Sequence, residues 1–323
     1  MGKGEFERIE TYFAPLAADF AGALGLLDDA AILSPGPDQS VVVTTDTIVE
    51  GVHYIGDEAP DLIARKLLRV NLSDLASMGA VPYAYTLNVA FPHSVSDDWL
   101  EAFAAGLRAD QREFAVHLAG GDSVSTRGPT VLTVTMYGLL PRGSEVRRSG
   151  AAVGDWVFVS GTLGDGALGL KVAAGELALD DERDSAELAD RYRLPRPRTA
   201  LGARLRGVAS AMADISDGFL ADLGHIVEAS GVGATVDLED IPLSRPAAAL
   251  IERDPKWWET VLSGGDDYEL VFTCKDPSAI ERVSIETGMA LTCVGRIDAE
   301  ASVVVRDGDG QRVRFAKSGY RHN

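Results

Sequence analysis

The chain has 323 residues, 46% of them hydrophobic, enough to bury about two domain cores. Acidic residues number 49 against 30 Lys and Arg, a net charge of −19, and no basic stripe interrupts the excess; such a field repels nucleic acid and excludes a duplex-binding surface. No apolar run is long enough to span a bilayer, and the opening residues "MGKGEFERIETYF" lack the apolar core of a signal peptide. Cys274 and Cys293 form neither a close pair nor a metal-ligand spacing, so a cytoplasmic protein with reduced thiols and no membrane partner is expected.

In chain order, "SVVVTTDT" (40–47) is a predicted strand with Asp46 near its end. "APDLIARKLLRVNLSDLASMGA" (59–80) carries helical apolar spacing at Leu62, Ile63, Leu67, Leu68, Leu72 and Leu75. A strand follows at "YAYTLNVAF" (83–91), then a helix at "SDDWLEAFAAGLRADQREF" (96–114) with Ser96 as its cap. "TVLTVTMYGLL" (130–140) alternates like a half-buried strand. The turn-rich "PRGSEVRRSGAAVGD" then breaks the chain, placing a domain boundary near residue 150, between domains 1–149 and 150–323. The second half opens with the strand "DWVFVSG", a glycine turn and a helix. Residues 180–198 read as a charged, Pro-punctuated connection on the surface. "SDGFLADLGHIVEASG" is a helix stopped by Gly231, and "GATVDL", "YELVFTC" and "LTCVGRI" are strands. Both halves are therefore mixed α/β or α+β.

The acids are not spread evenly. Asp28 and Asp29, Asp46, Asp74, Asp122, and Asp214 with Asp217 each sit among small or apolar residues, mostly beside Gly, Ser or Thr. A solvated face looks instead like "LDDERDSAELADR", where acids mix with bases. An unpaired buried carboxylate is costly, but a half-buried one that meets a cation is not. Mg²⁺ takes oxygen ligands and shares its shell between carboxylates, water and substrate phosphates, so short aspartates at element ends suit several Mg²⁺ ions holding a polyphosphate. Taken singly, Ser216-Asp217-Gly218 also fits an ordinary helix N-cap, and Asp74 a polar helix position. Asp266 and Asp267, after two glycines, suit either a tight turn or a donor group of a substrate. The chain has no Walker A loop. "GDGALG" (164–169) matches the dinucleotide fingerprint only weakly, because the strands expected after it are delayed; a glycine turn packing a strand on a helix fits better.

"TTDTIVEGVH", "NLSDLASMGA", "GGDSVS", "RRSGAAVGDWVFVSGTLGD", "DISDGFLADLGHI" and "SGGDDYELVFT", in this order, resemble the thiamine-monophosphate kinases. These belong to a superfamily with aminoimidazole ribonucleotide synthetase, selenophosphate synthetase and the hydrogenase maturation protein HypE. The resemblance runs from "GEFERI" to "SGYRH". It implies a two-domain aminoimidazole-ribonucleotide-synthetase-like fold, α+β / α/β, in which the N-terminal sheet pairs into a barrel across a homodimer and a C-terminal α/β domain completes the active site. It implies ATP and several Mg²⁺ ions, thiamine monophosphate as acceptor, and thiamine diphosphate as product. Carried over by position, Asp29, Thr44, Thr45, Asp46, Asp74, Asp122, Asp214 and Asp217 are the implied Mg²⁺ ligands. Gly121, Asp122, Arg148 and Ser216 are the implied nucleotide contacts, and His53, Asp266 and Tyr320 the implied acceptor contacts. The acceptor phosphate is already an anionic nucleophile, so no catalytic base is expected.

Two positions depart from the family pattern: Leu27 stands where a glycine is usual, and Asp266 where a glutamate is common. A selenophosphate synthetase would carry a reactive Cys or selenocysteine near its start, and HypE a C-terminal Cys; here no Cys precedes Cys274 and the chain ends "GYRHN". On the acids alone, another ATP-dependent synthetase of the superfamily and a non-catalytic divalent-cation or nucleotide-binding module both stay open.

Overall fold

The computed structural model describes residues 5–28, 30–316, 319 and 320. The chain divides into two compact units: one of Met1–Leu75 and Ala80–Gly143, the other of Ala76–Gly79 and Ser144–Asn323.

The first unit begins with short helical turns, α1 (Glu5–Arg8) and α2 (Ala14–Ala17), joined by a π-turn and followed by a 3₁₀ turn at Ala21–Leu26. Then come β1 (Gln39–Val49), α3 (Pro60–Ser77), β2 (Val81–Pro92), α4 (Asp97–Phe114), β3 (His117–Thr126) and β4 (Val131–Pro141). The strands form one open sheet in the order β1-β4-β2-β3, antiparallel except for β2 with β3. In β1 the side chains alternate between an exposed face and a covered one. Helix α4 starts where Ser96 accepts from the Trp99 N–H at 3.1 Å, with Asp97 and Asp98 in its first turn. Helix α3 is buried nearly all round, so its polar residues need partners: Arg69, 4% exposed, pairs with the fully buried Asp110 of α4 at 2.7 Å. Leu67, Leu72, Tyr85, Phe103, Leu107 and Met136 are among the core of this unit.

The second unit holds β5 (Trp156–Ser160), α5 (Asp165–Ala173), α6 (Glu182–Arg193), α7 (Thr199–Leu205), β6 (Ala211–Asp214), α8 (Phe219–Ser230) and β7 (Gly233–Asp237). It continues with α9 (Arg245–Arg253), α10 (Trp257–Ser263), β8 (Leu270–Cys274), α11 (Pro277–Thr287), β9 (Leu291–Asp298), β10 (Val303–Arg306) and β11 (Arg312–Val313). The sheet order is β11-β10-β7-β9-β5-β8-β6. Val157, Val159, Ala213 and Val271 join one apolar cluster, and Phe158, Met212, Leu270 and Phe272 another, so the sheet is covered on both faces. Strand β5 is antiparallel to both neighbours, β8 and β9, which is not a dinucleotide-binding arrangement. The glycines of "GDGALG" serve packing: a Cβ at Gly166 would lie 2.1 Å from the Asp266 carbonyl oxygen, and one at Gly169 2.0 Å from that of Leu188.

Two expectations are corrected, and one strand is added. Strand β1 does not end with Thr47 but runs on to Val49, because pairing with β4 continues to Val131. "HLAGGDSVST", for which no element is predicted, forms β3 by lying parallel to β2. Residues 180–198 are not a plain connection: Asp181 caps α6 by accepting from the Arg183 N–H at 2.8 Å, and Leu188, Ala189, Arg191 and Tyr192 are buried. Among the described residues no helix is long and apolar enough to cross a membrane. The sheet of the first unit stays open within the chain; a barrel would need a second copy.

Candidate active site

In the first unit the sheet pleat does the sorting. Thr44 and Asp46 stand on the covered face of β1, two residues apart, while Thr45 lies on the opposite, exposed face. Asp74, on α3, meets both: the Thr44 hydroxyl donates to Asp74 Oδ2, and Asp46 and Asp74 share a side-chain hydrogen bond. Two carboxyls in hydrogen-bond contact cannot both be ionised cheaply. Burial, and next the charge of Asp74, push the Asp46 carboxyl from its ordinary 3.8 up to about 7. Thr45 turns away to its strand neighbour, its Oγ1 3.1 Å from the Val134 carbonyl and 3.1 Å from Thr135 Oγ1.

Asp122 is exposed on β3, opposite Asn88 of β2, with its Oδ1 accepting from the Ser123 N–H at 2.9 Å. Gly121 beside it has a backbone reason to be glycine: a Cβ would lie 1.9 Å from the Leu87 carbonyl oxygen. A cavity of about 410 Å³ opens here, with Gly121, Asp122 and Asp28 on its wall and Phe13, Leu87 and Tyr137 among its apolar lining. His53 folds back on the end of β1. Its Nδ1 accepts from the Val49 N–H at 3.1 Å, so the neutral ring carries its proton on Nε2. Asp29 lies outside the described residues.

In the second unit β6 delivers Asp214, 2% exposed, and the chain then turns through Ile215–Gly218 into α8. No side chain of the turn caps this helix; Gly218, at φ 123°, occupies the cap position. The work of a cap is done from inside the helix. Asp222 Oδ2 accepts from the N–H groups of Ser216, Asp217 and Gly218, each at 3.1 Å. Burial and then the charge of Asp217 raise the Asp222 carboxyl to about 7, against the pull of those N–H groups and of Arg148. Asp217, Asp222 and His225 bring ligand atoms within 4.8 Å of one another. Arg148 is exposed.

The acidic loop after α10 is tied to this turn by main-chain bonds. The Asp266 N–H donates to the Ser216 carbonyl at 2.9 Å, the Tyr268 N–H to Ile215 at 2.8 Å, and the Ile215 N–H to Glu269 at 2.8 Å. Asp266 and Tyr268 both adopt left-handed φ, 61° and 52°. The Tyr268 hydroxyl donates to Asp266 Oδ1 at 3.1 Å. The Tyr320 N–H reaches the Asp217 carbonyl at 2.9 Å, with its ring half exposed. The adjacent acids part company. Asp266 is half-buried, whereas Asp267 is buried and accepts from Gly164 and Gly166 N–H at 2.7 and 3.0 Å, at the start of α5. Burial lifts Asp267 to about 8.

Sequence reasoning therefore named Asp214, Ser216, Asp217 and Asp266 but missed what braces them. Glu269, fully buried, receives Arg191 at 3.0 Å, Arg198 Nε at 2.6 Å and the Ser160 hydroxyl at 2.5 Å. An acid inside the apolar run "YELVF" was the available signal for it. Acids in the first turn of a helix were the signal for Asp222.

The description "AIR synthase related protein, N-terminal domain" matches residues 27–140, and "AIR synthase related protein, C-terminal domain" matches residues 152–308. The thiamine-monophosphate kinase of Salmonella typhimurium is 40% identical over 325 residues, covering 100% of this chain and 99% of that protein. A crystal structure of thiamine-monophosphate kinase from Stenotrophomonas maltophilia superposes with a TM-score of 0.85 at 40% identity, over 97% of this chain and 99% of that one. AaThiL complexed with AMPPCP and TMP superposes with a TM-score of 0.78 at 28% identity, over 98% of this chain and 97% of that one. With both domain matches and relatives aligned end to end, the chain belongs to the thiamine-monophosphate kinase family of AIR synthase related proteins.

Proposed function

We propose that the chain transfers the γ-phosphoryl group of ATP to the phosphate of thiamine monophosphate, giving ADP and thiamine diphosphate. The observation that carries this reading is the Asp46–Asp74 pair: two carboxyls and the Thr44 hydroxyl gathered on one covered face, in a family of kinases. Such a pair is at ease only with a proton or a cation between its oxygens. The donors are all oxygen, which fits Mg²⁺. In the N-terminal unit Asp29, Thr44, Asp46, Asp74 and Asp122 would hold Mg²⁺; the Thr45 hydroxyl faces away, leaving its carbonyl for that task. In the C-terminal unit Asp214 and Asp217 would do the same. Bound Mg²⁺ neutralises phosphate charge.

The side chains supply the rest. Gly121 lies on the wall of the cavity beside Asp122, where its main chain can meet a nucleotide, and the exposed Arg148 guanidinium suits a phosphate through paired N–H donors. Ser216 adds a hydroxyl. His53 offers an Nε2–H donor, and Asp266, steered by Tyr268, accepts from an amino group of the acceptor beside the half-exposed Tyr320. No base is assigned, because the acceptor phosphate is ionised at neutral pH; positioning and charge neutralisation carry the rate. Transfer is direct, with no phosphorylated enzyme. We place the enzyme in the cytoplasm as a homodimer whose N-terminal sheets pair into a barrel. Val41 and Val43, 40% and 57% exposed on the outer face of edge strand β1, support that assembly.

The test is product formation from ATP, Mg²⁺ and thiamine monophosphate, followed by chromatography. ADP and thiamine diphosphate should appear together and only with the acceptor present. ATP turnover indifferent to the acceptor, or equal phosphorylation of free thiamine, overturns the reading.

A further inference from the structure

Asp222 lies outside the ligand set, yet its geometry is specific. It is 1% exposed on the first turn of α8. One oxygen, Oδ2, gathers three successive main-chain N–H groups at equal distances of 3.1 Å. Those groups belong to Ser216, Asp217 and Gly218, and the first two carry the side chains assigned to nucleotide and metal. The turn cannot hold itself. It lacks a side-chain cap, and its glycine sits at a φ that other residues rarely adopt. A Cβ at Gly218 would lie 2.8 Å from the main chain of Ser263, so the turn is also pressed from outside.

We propose that Asp222 is a positioning residue: it fixes the Ser216–Gly218 main chain so that the Asp217 carboxylate and the Ser216 hydroxyl are presented in one arrangement to metal-bound phosphate. This rests on the functional reading above. The rival is that Asp222 is itself a ligand with Asp217 and His225, since their ligand atoms approach within 4.8 Å. Its commitment of Oδ2 to three N–H donors and its burial argue against that. Partners that orient ligands from behind typically govern metal affinity or activity about 10–100-fold.

Two conservative variants separate geometry from charge. Asp222→Asn keeps an acceptor oxygen in place and drops the charge; Asp222→Glu keeps the charge and moves the oxygens by one methylene. Two readouts apply to the intact protein: the Mg²⁺ concentration giving half-maximal velocity, and Mn²⁺ affinity by electron paramagnetic resonance without nucleotide. Asp217→Asn is the control for the site. The expected result is a rise of about tenfold or more in both constants for Asp222→Glu, with Asp222→Asn close to wild type. The reverse order, Asn impaired and Glu mild, makes Asp222 a ligand and overturns the proposal. Unchanged metal constants in both variants, whatever their melting temperatures, reduce Asp222 to a helix-stabilising acid and also overturn it. A fully active Asp217→Asn removes the site itself, and the proposal with it, a result distinct from failure of Asp222 alone.

Discussion

Replacing Asp46 by Asn changes charge with almost no change of shape, and two quantities should move in opposite directions. In metal-free buffer the Asp46 carboxyl is raised from 3.8 to about 7, first by burial and then by Asp74. The folded chain therefore holds a proton there that the unfolded chain releases, so this group's contribution to stability is full below pH 4 and is lost as the pH rises to 7. The whole interval corresponds to roughly 4 kcal/mol at most; relaxation against Asp74 and entry of water leave about 1–2 kcal/mol at pH 8. Asp46→Asn removes that loss. With a chelator at pH 8 the variant should melt a few degrees above wild type, and its stability should fall less between pH 4 and 7. Added Mg²⁺ should raise the melting temperature of wild type and leave the variant nearly unmoved. Turnover should drop about a thousandfold or more, since the chemistry rests on neutralised charge. Melting curves and turnover on the same samples decide the matter. A destabilised variant that keeps its activity would make Asp46 a structural acid and refute the reasoning.

Three further outcomes follow from geometry. Gly121→Ala puts a methyl group 1.9 Å from the Leu87 carbonyl oxygen, so β3 must shift; a loss of about 1–3 kcal/mol and a higher KM for ATP should appear in denaturant curves and kinetics. Asp267→Asn should flatten the decline of stability between pH 4 and 8, because the raised carboxyl costs stability as it ionises across that window; pH-dependent melting checks it. Glu269→Gln leaves Arg198 without its buried counter-charge and Arg191 with only Asp165, 3.9 Å away, and should cost about 3–5 kcal/mol in urea unfolding.

Local pattern made much of the fold legible. A run of valines and threonines announced β1, alternation announced β4, helical spacing announced α3, and Ser96 before two acids announced the start of α4. What stayed hidden was non-local. Strand β3 contains two glycines and exposed polar residues, and exists because β2 supplies a parallel partner. Helix α6 looked like a solvated linker because few apolar residues cover its buried face; its arginine at 191 is buried by an acid 78 positions away. The site shows the same divide. Acids beside Gly, Ser or Thr mark Asp46, Asp122 and Asp217, whereas Asp222, in "LADLG", resembles an ordinary helix acid until the turn folds onto it. Asp266 and Asp267 are indistinguishable neighbours in sequence, and only the left-handed backbone between two glycines and β8 sends them to different destinations.

The turn at 215–218 and the loop at 265–269 lend each other their main-chain donors and acceptors, as two sides of a zip do. Neither can gain or lose a residue without misaligning the other. Room is short as well: a Cβ at Gly265 would lie 2.4 Å from the Ser216 carbonyl oxygen. An evolving descendant that needs a new acceptor therefore cannot lengthen the acidic loop alone. Its accessible moves are side-chain exchanges at fixed spacing, such as aspartate for glutamate at 266, or simultaneous remodelling of both segments. Acceptor preference in this architecture should thus drift by single side chains and jump only when two distant stretches of sequence, some fifty residues apart, change together.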